Sequence, residues 1–339
     1  WRSFMLLFWS ASIALSSFTL AASSKLLLPT CPAAFNLTPQ PSDPTRSFSV
    51  SSVSARAPAR AVCSSSAAGM GLLKVPAENL FVSEPDPLLF GNDENAENDP
   101  TWTNGNWLKS RFHFSFAEYH DPQRSQYGVL RVMNDDLVQP NRGFGTHGHR
   151  NMEIVTYVVE GALTHQDSMG TAETLERGSV QFMTAGTGVR HSEHNRDKAR
   201  PLRFIQIWIN PVQLGLQPNY GSLRGSLDQR HNKLAHLVSP VDKLNKMGEA
   251  GEIKINQDAH IYVAELDTGR QVALSLSEGR MAYVLCVEGA LSMEGPFGKE
   301  SLTKHDAARV DGSGAITFSA LENEDKEPGH VLIVEMAQK

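Results

Sequence analysis

The chain has 339 residues, of which 40% are hydrophobic, and this is enough for two domains of ordinary size with buried cores. Its formal net charge is −6, and the part beyond residue 70 carries −10 with no basic stripe, which excludes direct nucleic-acid binding. Of the three cysteines only Cys286 lies beyond residue 70, so this part can hold neither a disulfide framework nor a cysteine zinc site.

Residues 1–70 differ in composition from the rest of the chain. Ser, Ala, Pro and Leu dominate, and Asp43 is the only acidic residue. This composition predicts a targeting segment, and we expect a plastid address. The apolar run MLLFWSASIALSSFTLAA, at residues 5–22, has the length of a signal-peptide core and would also suit a secretory route, while its Ser and Thr residues argue against a stable membrane anchor. Translation from Met70 would instead leave the product in the cytoplasm or nucleus.

Beyond residue 70 the sequence predicts an all-β protein. Short apolar runs, rich in β-branched and aromatic residues, are separated by Gly, Pro, Asn and Asp. A more polar segment at residues 226–248 divides these runs and predicts a short helix or a connector. The predicted strands are YGVLRVM, EIVTYVVEGAL, SVQFMTA and LRFIQIWI before this segment, and AHIYVAEL, QVALSL, MAYVLCVEGALSM, AITFSA and HVLIVEM after it.

The five residues VEGAL occur twice, at 159–163 and at 287–291. Each copy ends an apolar run that contains a tyrosine, and the surrounding strand patterns also match. We therefore predict two tandem β-barrels of one ancestry, over residues 71–215 and 216–339. The stretch SLSEGRMAY before the second copy contains no histidine, so we expect the second barrel to lack a metal.

The first half contains two closely spaced pairs of residues that commonly bind metals. His147 and His149 are two positions apart, and residues i and i+2 of a strand project to the same face, so both can converge on one ion. His191 and Glu193 have the same spacing. Two such pairs on neighbouring strands would place three imidazoles and one carboxylate around an ion, with coordination positions left for oxygen, water or substrate.

Glu153 follows the first pair and is an alternative carboxylate ligand. On a straight strand it would lie about 13 Å beyond His149, too far to share an ion. It could return only if the chain turned at residues 150–152, whereas Glu193 needs no such turn. We therefore favour Glu193 as the carboxylate ligand. Glu153 is expected either to contact the metal ligands without binding the ion or to lie at the end of a strand. Of the remaining histidines, only His165 is expected to line a pocket.

The stretches GFGTHGHRNMEIVTYVVEGALTHQDSMG and GSVQFMTAGTGVRHSEHN resemble the two cupin motifs in the form found in the pirin family. SRFHFSFAEYHDP and RFIQIWINP are also similar to pirin segments. The resemblance implies a bicupin, with two tandem jelly-roll barrels and short helices, and an N-terminal barrel that binds Fe(II) through His147, His149, His191 and Glu193. Gly148 stands where this family usually has Pro, which loosens the backbone there without removing a ligand.

Members of the pirin family show quercetinase activity. The resemblance therefore implies a metal-dependent dioxygenase that opens a flavonol-like phenol with O2, with Glu193 as the catalytic acceptor of the substrate's hydroxyl proton. Nitrogen and oxygen ligands would also accept Mn, Co, Ni, Cu or Zn.

Two alternatives belong to other classes. Pirins are also described as iron-dependent partners of transcription regulators, so the first is a non-enzymatic, redox-responsive binding protein that acts as a transcriptional co-regulator. The second is a small-molecule isomerase, a chemistry that cupins also host. The sequence lacks the basic cluster that a sugar phosphate would require.

Overall fold

The computed structural model describes residues 70–92, 106–242 and 251–338. Nearly all regular structure in these ranges is β-strand, which confirms the all-β prediction. The targeting segment predicted for residues 1–70 lies outside the described residues except for Met70. In the described ranges, no helix has both the length and the apolar character needed to span a bilayer.

Of the first twelve strands, all except β1 belong to the N-terminal barrel. They are β1 (Gly71–Val75), β2 (Phe81–Ser83), β3 (Leu108–Phe112), β4 (Leu130–Val138), β5 (Gly143–His149), β6 (Glu153–Glu160), β7 (Ala162–Asp167), β8 (Ala172–Glu176), β9 (Val180–Thr184), β10 (Val189–Asn195), β11 (Leu202–Ile209) and β12 (Asn219–Leu223). Short 3₁₀ helices occur at Ala77–Asn79, Leu89–Gly91 and Pro122–Arg124.

A four-residue helix, α1 (Leu227–Arg230), precedes the remaining strands. These are β13 (Ala235–Pro240), β14 (Ile253–Ile255), β15 (Ala259–Leu266), β16 (Gln271–Leu276), β17 (Arg280–Glu288), β18 (Ala290–Gly295), β19 (Gly298–Thr303), β20 (Ala307–Asp311), β21 (Gly314–Ala320) and β22 (Gly329–Ala337). The polar segment at residues 226–248, where a short helix or connector was predicted, thus contains both α1 and β13.

The strands form two barrels of matching topology. Each barrel combines a seven-stranded sheet with a four-stranded sheet. In the N-terminal barrel the strand orders are β12-β9-β6-β11-β4-β3-β2 and β5-β10-β7-β8, and in the C-terminal barrel they are β1-β20-β17-β22-β15-β13-β14 and β16-β21-β18-β19. The central order β9-β6-β11-β4 corresponds to β20-β17-β22-β15, and the two small sheets correspond strand for strand. This correspondence confirms the tandem arrangement.

The repeated VEGAL sequence forms the same corner in both barrels. Gly161 connects β6 to β7 with a φ of 75°, and Gly289 connects β17 to β18 with a φ of 65°. Such positive φ values favour glycine. A Cβ atom on either glycine would also lie 2.4 Å from the carbonyl oxygen of a proline. The turn in each barrel therefore requires the glycine of the repeat.

The two seven-stranded sheets take edge strands from across the predicted domain boundary. β1 pairs with β20 in the C-terminal sheet, although it precedes the N-terminal barrel in the chain. β12 lies beyond residue 215 but pairs with β9 in the N-terminal sheet. The predicted boundaries, 71–215 and 216–339, therefore do not separate the sheets. Side-chain alternation indicates a strand but not the partner with which it pairs.

The two seven-stranded sheets share an apolar cluster that contains Tyr157 and Ile205 from one sheet and Tyr283 and Leu332 from the other. Alternate residues of these strands point to the inside of their own barrel. The inside of the C-terminal barrel is apolar along β16 and β21, the strands that correspond to β5 and β10. A second apolar cluster inside this barrel contains Leu274, Leu276, Ile316, Phe318 and Ala320 of these two strands, and Val272 packs against it.

Asp136 lies on β4 inside the N-terminal barrel and is 4% exposed. The hydroxyl group of Ser110 donates a hydrogen bond to its carboxyl group. Burial raises the pKa of Asp136 to about 8, opposed by the hydrogen bond from Ser110 and assisted by the charges of Asp135 and Glu193. Asp136 is therefore mostly neutral at pH 7 in the folded protein.

We expect Asp136→Asn to stabilise the protein at alkaline pH but not at pH 4. Because the pKa of Asp136 is higher in the folded protein than its ordinary value of 3.8, its carboxyl group loses stabilising effect as the pH rises from about 4 to about 8. The amide keeps an acceptor for Ser110 and has no charge to bury. The difference in unfolding free energy should grow by about 1 kcal/mol per pH unit in this window, as measured by urea denaturation.

The exposed Asp325 gives a matched control through Asp325→Asn, because a surface substitution of this kind should change the unfolding free energy by less than about 0.5 kcal/mol. A difference between Asp136→Asn and the unaltered protein that stays constant from pH 4 to pH 9 would contradict the assignment.

Candidate metal centre

Three of the four predicted ligands meet inside the N-terminal barrel. His147 and His149 lie on β5, and His191 lies on β10, the antiparallel neighbour of β5. The Nε2 atom of His191 lies 2.9 Å from Nε2 of His149 and 3.1 Å from Nε2 of His147. The spacing of two along β5 and the direct pairing of His147 with His191 thus bring three nitrogen atoms to one point.

The protonation of these rings suits a metal ion. Burial lowers the pKa of His147 to about 4 and holds the pKa values of His149 and His191 well below their usual range, with neighbouring imidazoles adding to the last two shifts. The rings are therefore neutral at pH 7, which is the form that binds metals. The carbonyl oxygen of Gly145 lies 2.8 Å from Nδ1 of His147 and accepts a hydrogen bond from it, so Nδ1 carries the hydrogen and Nε2 presents a lone pair.

The spacing of the three nitrogen atoms also fits an ion between them. Nε2 of His191 faces the Nε2 atoms of both other rings, and in a neutral ring it either donates or accepts a hydrogen bond. If it donates to the lone pair of His147, it has no lone pair to offer His149. A cation removes this conflict. Two ligand atoms at right angles around an ion, with bonds of about 2.1 Å, are about 3 Å apart, close to the observed 2.9 and 3.1 Å.

Glu193 lies beside this group on the same strand as His191. The pairing of β10 with β5 shifts register between His191 and Glu193. A carboxylate oxygen of Glu193 lies within 4.8 Å of a nitrogen of His191 and a nitrogen of His165. At this spacing the group of His147, His149 and His191 does not include Glu193. The structure thus brings the three histidines together most closely and places the carboxylate next to one of them.

Three polar side chains of the seven-stranded sheet hold the carboxylate of Glu193. Gln181 donates to Oε1 at 2.6 Å, Gln206 donates to Oε2 at 3.0 Å, and Thr156 donates weakly to Oε1 at 3.3 Å. Thr156 lies between the two glutamines across β9, β6 and β11. Burial raises the pKa of Glu193 to about 7, and the three hydrogen bonds oppose this shift.

Aromatic rings lie against the histidines. Trp208, on β11, meets His149 edge to face with ring centroids 4.9 Å apart. Phe90 lies 5.7 Å from the ring of His147, and Phe116 lies 5.2 Å from the ring of Trp208. Such flat apolar surfaces beside a few polar groups are typical of sites that bind aromatic ligands.

Glu153 is the first residue of β6, and among the described residues it belongs to neither group of potential metal ligands. Its carboxylate accepts hydrogen bonds from Thr184 Oγ1 at 2.9 Å and from the backbone N–H of Asn256 at 3.2 Å. Glu153 thus lies at the end of a strand, which is one of the two positions expected for it, and the strand before it does not run on straight. The chain turns at residues 150–152, where Asn151 has a φ of 51°, and β6 belongs to a different sheet from β5. The turn directs Glu153 to Thr184 and to the C-terminal half.

Several residues of the site were not identified from the sequence. Gln181, Thr156 and Gln206 each lie within a predicted apolar strand, and a polar residue that faces inward from such a strand is a usable signal. Phe90 had no such signal, because it reaches the site from a 3₁₀ helix distant in sequence from β5. His165, expected to line a pocket, is fully buried next to His191.

Comparison with known families gives matches in both halves of the chain. The pirin family model matches residues 95–209, and the model of the quercetinase C-terminal cupin domain matches residues 244–336. A putative quercetin 2,3-dioxygenase of Pseudomonas aeruginosa is 38% identical over 234 residues, which are 69% of this chain and 94% of that protein. The quercetin 2,3-dioxygenase of Escherichia coli K12 is 39% identical over 198 residues, which are 58% of this chain and 82% of that protein.

Solved structures agree with these matches. The crystal structure of YhhW from Escherichia coli has 31% sequence identity and a TM-score of 0.63, and the alignment covers 79% of this chain and 99% of that one. A second structure of this bacterial pirin, in complex with nickel(II), has 30% identity and a TM-score of 0.62, with 79% and 100% covered. The sequence matches, the tandem barrels and the histidine cluster all indicate the same family: the chain belongs to the pirin family.

Proposed function

We propose that this protein is a metal-dependent dioxygenase that opens a flavonol-like phenol with O2. The observation that carries the proposal is the meeting of three neutral imidazole nitrogens, 2.9 and 3.1 Å apart, beside a buried carboxylate. The relatives named quercetin 2,3-dioxygenase support this reaction class. The aromatic rings of Phe90 and Trp208 next to the histidines suit a flat phenolic substrate.

We propose His147, His149, His191 and Glu193 as the ligands and Fe(II) as the ion. The donor set would also accept Mn, Co, Ni, Cu or Zn, and the nickel(II) complex of YhhW is an example in a relative. When bound, the metal supplies a Lewis acid and a centre for oxygen chemistry. Three neutral imidazoles and one carboxylate leave one positive charge on a divalent site, and this charge favours an anionic phenolate.

The chain's own residues have distinct roles in this proposal. Glu193 accepts the proton of the substrate hydroxyl, since its carboxylate is the one beside the histidine cluster. Gln181 and Gln206 hold that carboxylate in place through its two oxygen atoms. The burial of Glu193 and His191 keeps water away from the reacting groups.

The test is a turnover experiment with the purified protein. The protein is loaded with Fe(II) without oxygen, and oxygen and quercetin are then added. We expect the flavonol absorption band to disappear with matching O2 uptake, and neither change should occur in metal-free protein.

The same experiment is repeated with several flavonols and with each of the six metals. Absence of O2 uptake with every combination would contradict the dioxygenase. Binding of a protein partner that depends on the oxidation state of iron would then favour the co-regulator.

A further inference from the structure

His165 and Asp167 form a buried pair next to the candidate metal centre. His165 lies on β7 and is fully buried, and its Nε2 atom lies 3.1 Å from Oδ2 of Asp167. The other oxygen of Asp167 accepts the backbone N–H groups of Met169 and Thr171, at 2.8 and 3.0 Å. The ring of His165 also stacks on Tyr220, with centroids 4.5 Å apart. The position of this imidazole is therefore held from two sides.

The pair determines which nitrogen of His165 carries the proton. A carboxylate can only accept, so Nε2 of His165 carries the hydrogen and Nδ1 presents a lone pair. His191 has the complementary requirement. Its Nε2 faces the other two histidines, so as a metal ligand it carries its proton on Nδ1.

Nδ1 of His165 and Nδ1 of His191 both lack a hydrogen-bond partner among the described residues. The rings of His165 and His191 lie 5.2 Å apart between centroids. Two imidazoles joined by an N–H···N hydrogen bond have centroids about 5 Å apart, and the separation of these two rings matches that value. Buried donors and acceptors usually have partners, and each of these atoms would supply the other.

We propose that His165 is a positioning residue that accepts a hydrogen bond from the Nδ1–H group of His191 and, with Asp167, holds His191 in the tautomer and orientation that bind the metal. The inference deepens the proposed function and rests on His191 as a ligand. Outer partners of this kind typically change metal affinity by about 10- to 100-fold.

The contrary assignment makes His165 itself a ligand. His165, His191 and Glu193 offer three ligand atoms within 4.8 Å of one another. A positioning residue affects how tightly the ion is held but not how many nitrogen atoms bind it, whereas loss of a ligand changes both. Measurements of affinity and of ligand number separate the two roles.

The most specific test is Asp167→Asn in the full chain. The amide oxygen still accepts from Met169 and Thr171, while the amide NH₂ group faces Nε2 of His165 and forces the proton of His165 onto Nδ1. Two protonated Nδ1 atoms then face each other. We expect about 10- to 100-fold weaker Co(II) binding in competition with a chelator, with an unchanged melting temperature of the metal-free protein.

Two substitutions of His165 extend the test. His165→Leu removes the acceptor and should weaken Co(II) binding to the same degree. His165→Asn keeps an oxygen near the position of Nδ1 and should restore most of the affinity. His330 is the matched control, because it is also buried and forms a similar pair with Glu288 at 2.7 Å in the C-terminal barrel. His330→Asn should bind Co(II) as the unaltered protein does.

Three results would overturn the proposal. Unchanged Co(II) affinity in Asp167→Asn would exclude control of the tautomer. A visible absorption spectrum of Co(II) that indicates one nitrogen ligand fewer in His165→Leu would make His165 a ligand. Unchanged Co(II) affinity in His191→Ala would show that His191 is not a ligand, and the proposed function would then fail together with the positioning role. The first two results would overturn the positioning role alone.

Discussion

Replacement of Glu193 by glutamine is expected to abolish retention of iron and to lower flavonol turnover by about 100-fold or more, while the same replacement at Glu153 preserves both. Glu193 is the carboxylate beside His191, and its loss removes a negative charge from the ion and the acceptor of the substrate proton. Glu153 is hydrogen-bonded to Thr184 and Asn256 instead. A glutamine at this position keeps an acceptor for both groups.

The two variants form a matched pair, because each exchanges a buried carboxylate for an amide of equal size. Iron content is measured by elemental analysis after desalting, and turnover by O2 uptake with quercetin. Loss of iron and turnover in Glu153→Gln, with both retained in Glu193→Gln, would assign the carboxylate ligand to Glu153.

Arg203→Met is expected to lower the free energy of unfolding by about 3–5 kcal/mol. Arg203 is 5% exposed and donates to both oxygens of Asp135, at 2.8 and 2.7 Å. Burial alone would raise the pKa of Asp135, but Arg203 and His305 hold this pKa well below its usual value. Without Arg203 a buried carboxylate loses its main counter-charge, and this is the cause of the expected loss.

This ion pair also joins the two barrels. Arg203 donates to the carbonyl oxygen of Val287 at 2.8 Å, and His305 lies 2.6 Å from Asp135, so both barrels contribute to the network. Urea denaturation at pH 7 gives the free energies. The double variant Asp135→Leu with Arg203→Met should recover most of the loss, because both members of the buried pair are removed together. A single-variant loss below about 1 kcal/mol, the value of an exposed pair, would contradict the assignment.

Much of the fold follows from local sequence patterns. Runs such as LRFIQIWI and AHIYVAEL form β11 and β15 with the bounds of the apolar stretches. Alternation of side chains along a strand is a property of the backbone and needs no distant partner. The repeated VEGAL corner indicated two related barrels for the same reason, since its glycine is required by the turn itself.

Part of the candidate site follows from spacing as well. His147 and His149 converge because they lie two positions apart on one strand, and His191 reaches them because β10 pairs with β5. Their assignment as metal ligands stays a prediction that the experiments above test. The sequence contained the residue types and their spacing, which are the local part of the chemistry.

Tertiary structure alone decided the rest. The turn at Asn151 moves Glu153 to another sheet, and Gln181 and Gln206 meet Glu193 across the inside of the barrel. β1 and β12 pair across the predicted domain boundary. The sequence by itself determined the strands, the repeat and the spacing of the histidines, because these depend on neighbouring residues. Partners and contacts between sheets depend on register and on burial of distant side chains, and no local pattern contains that information.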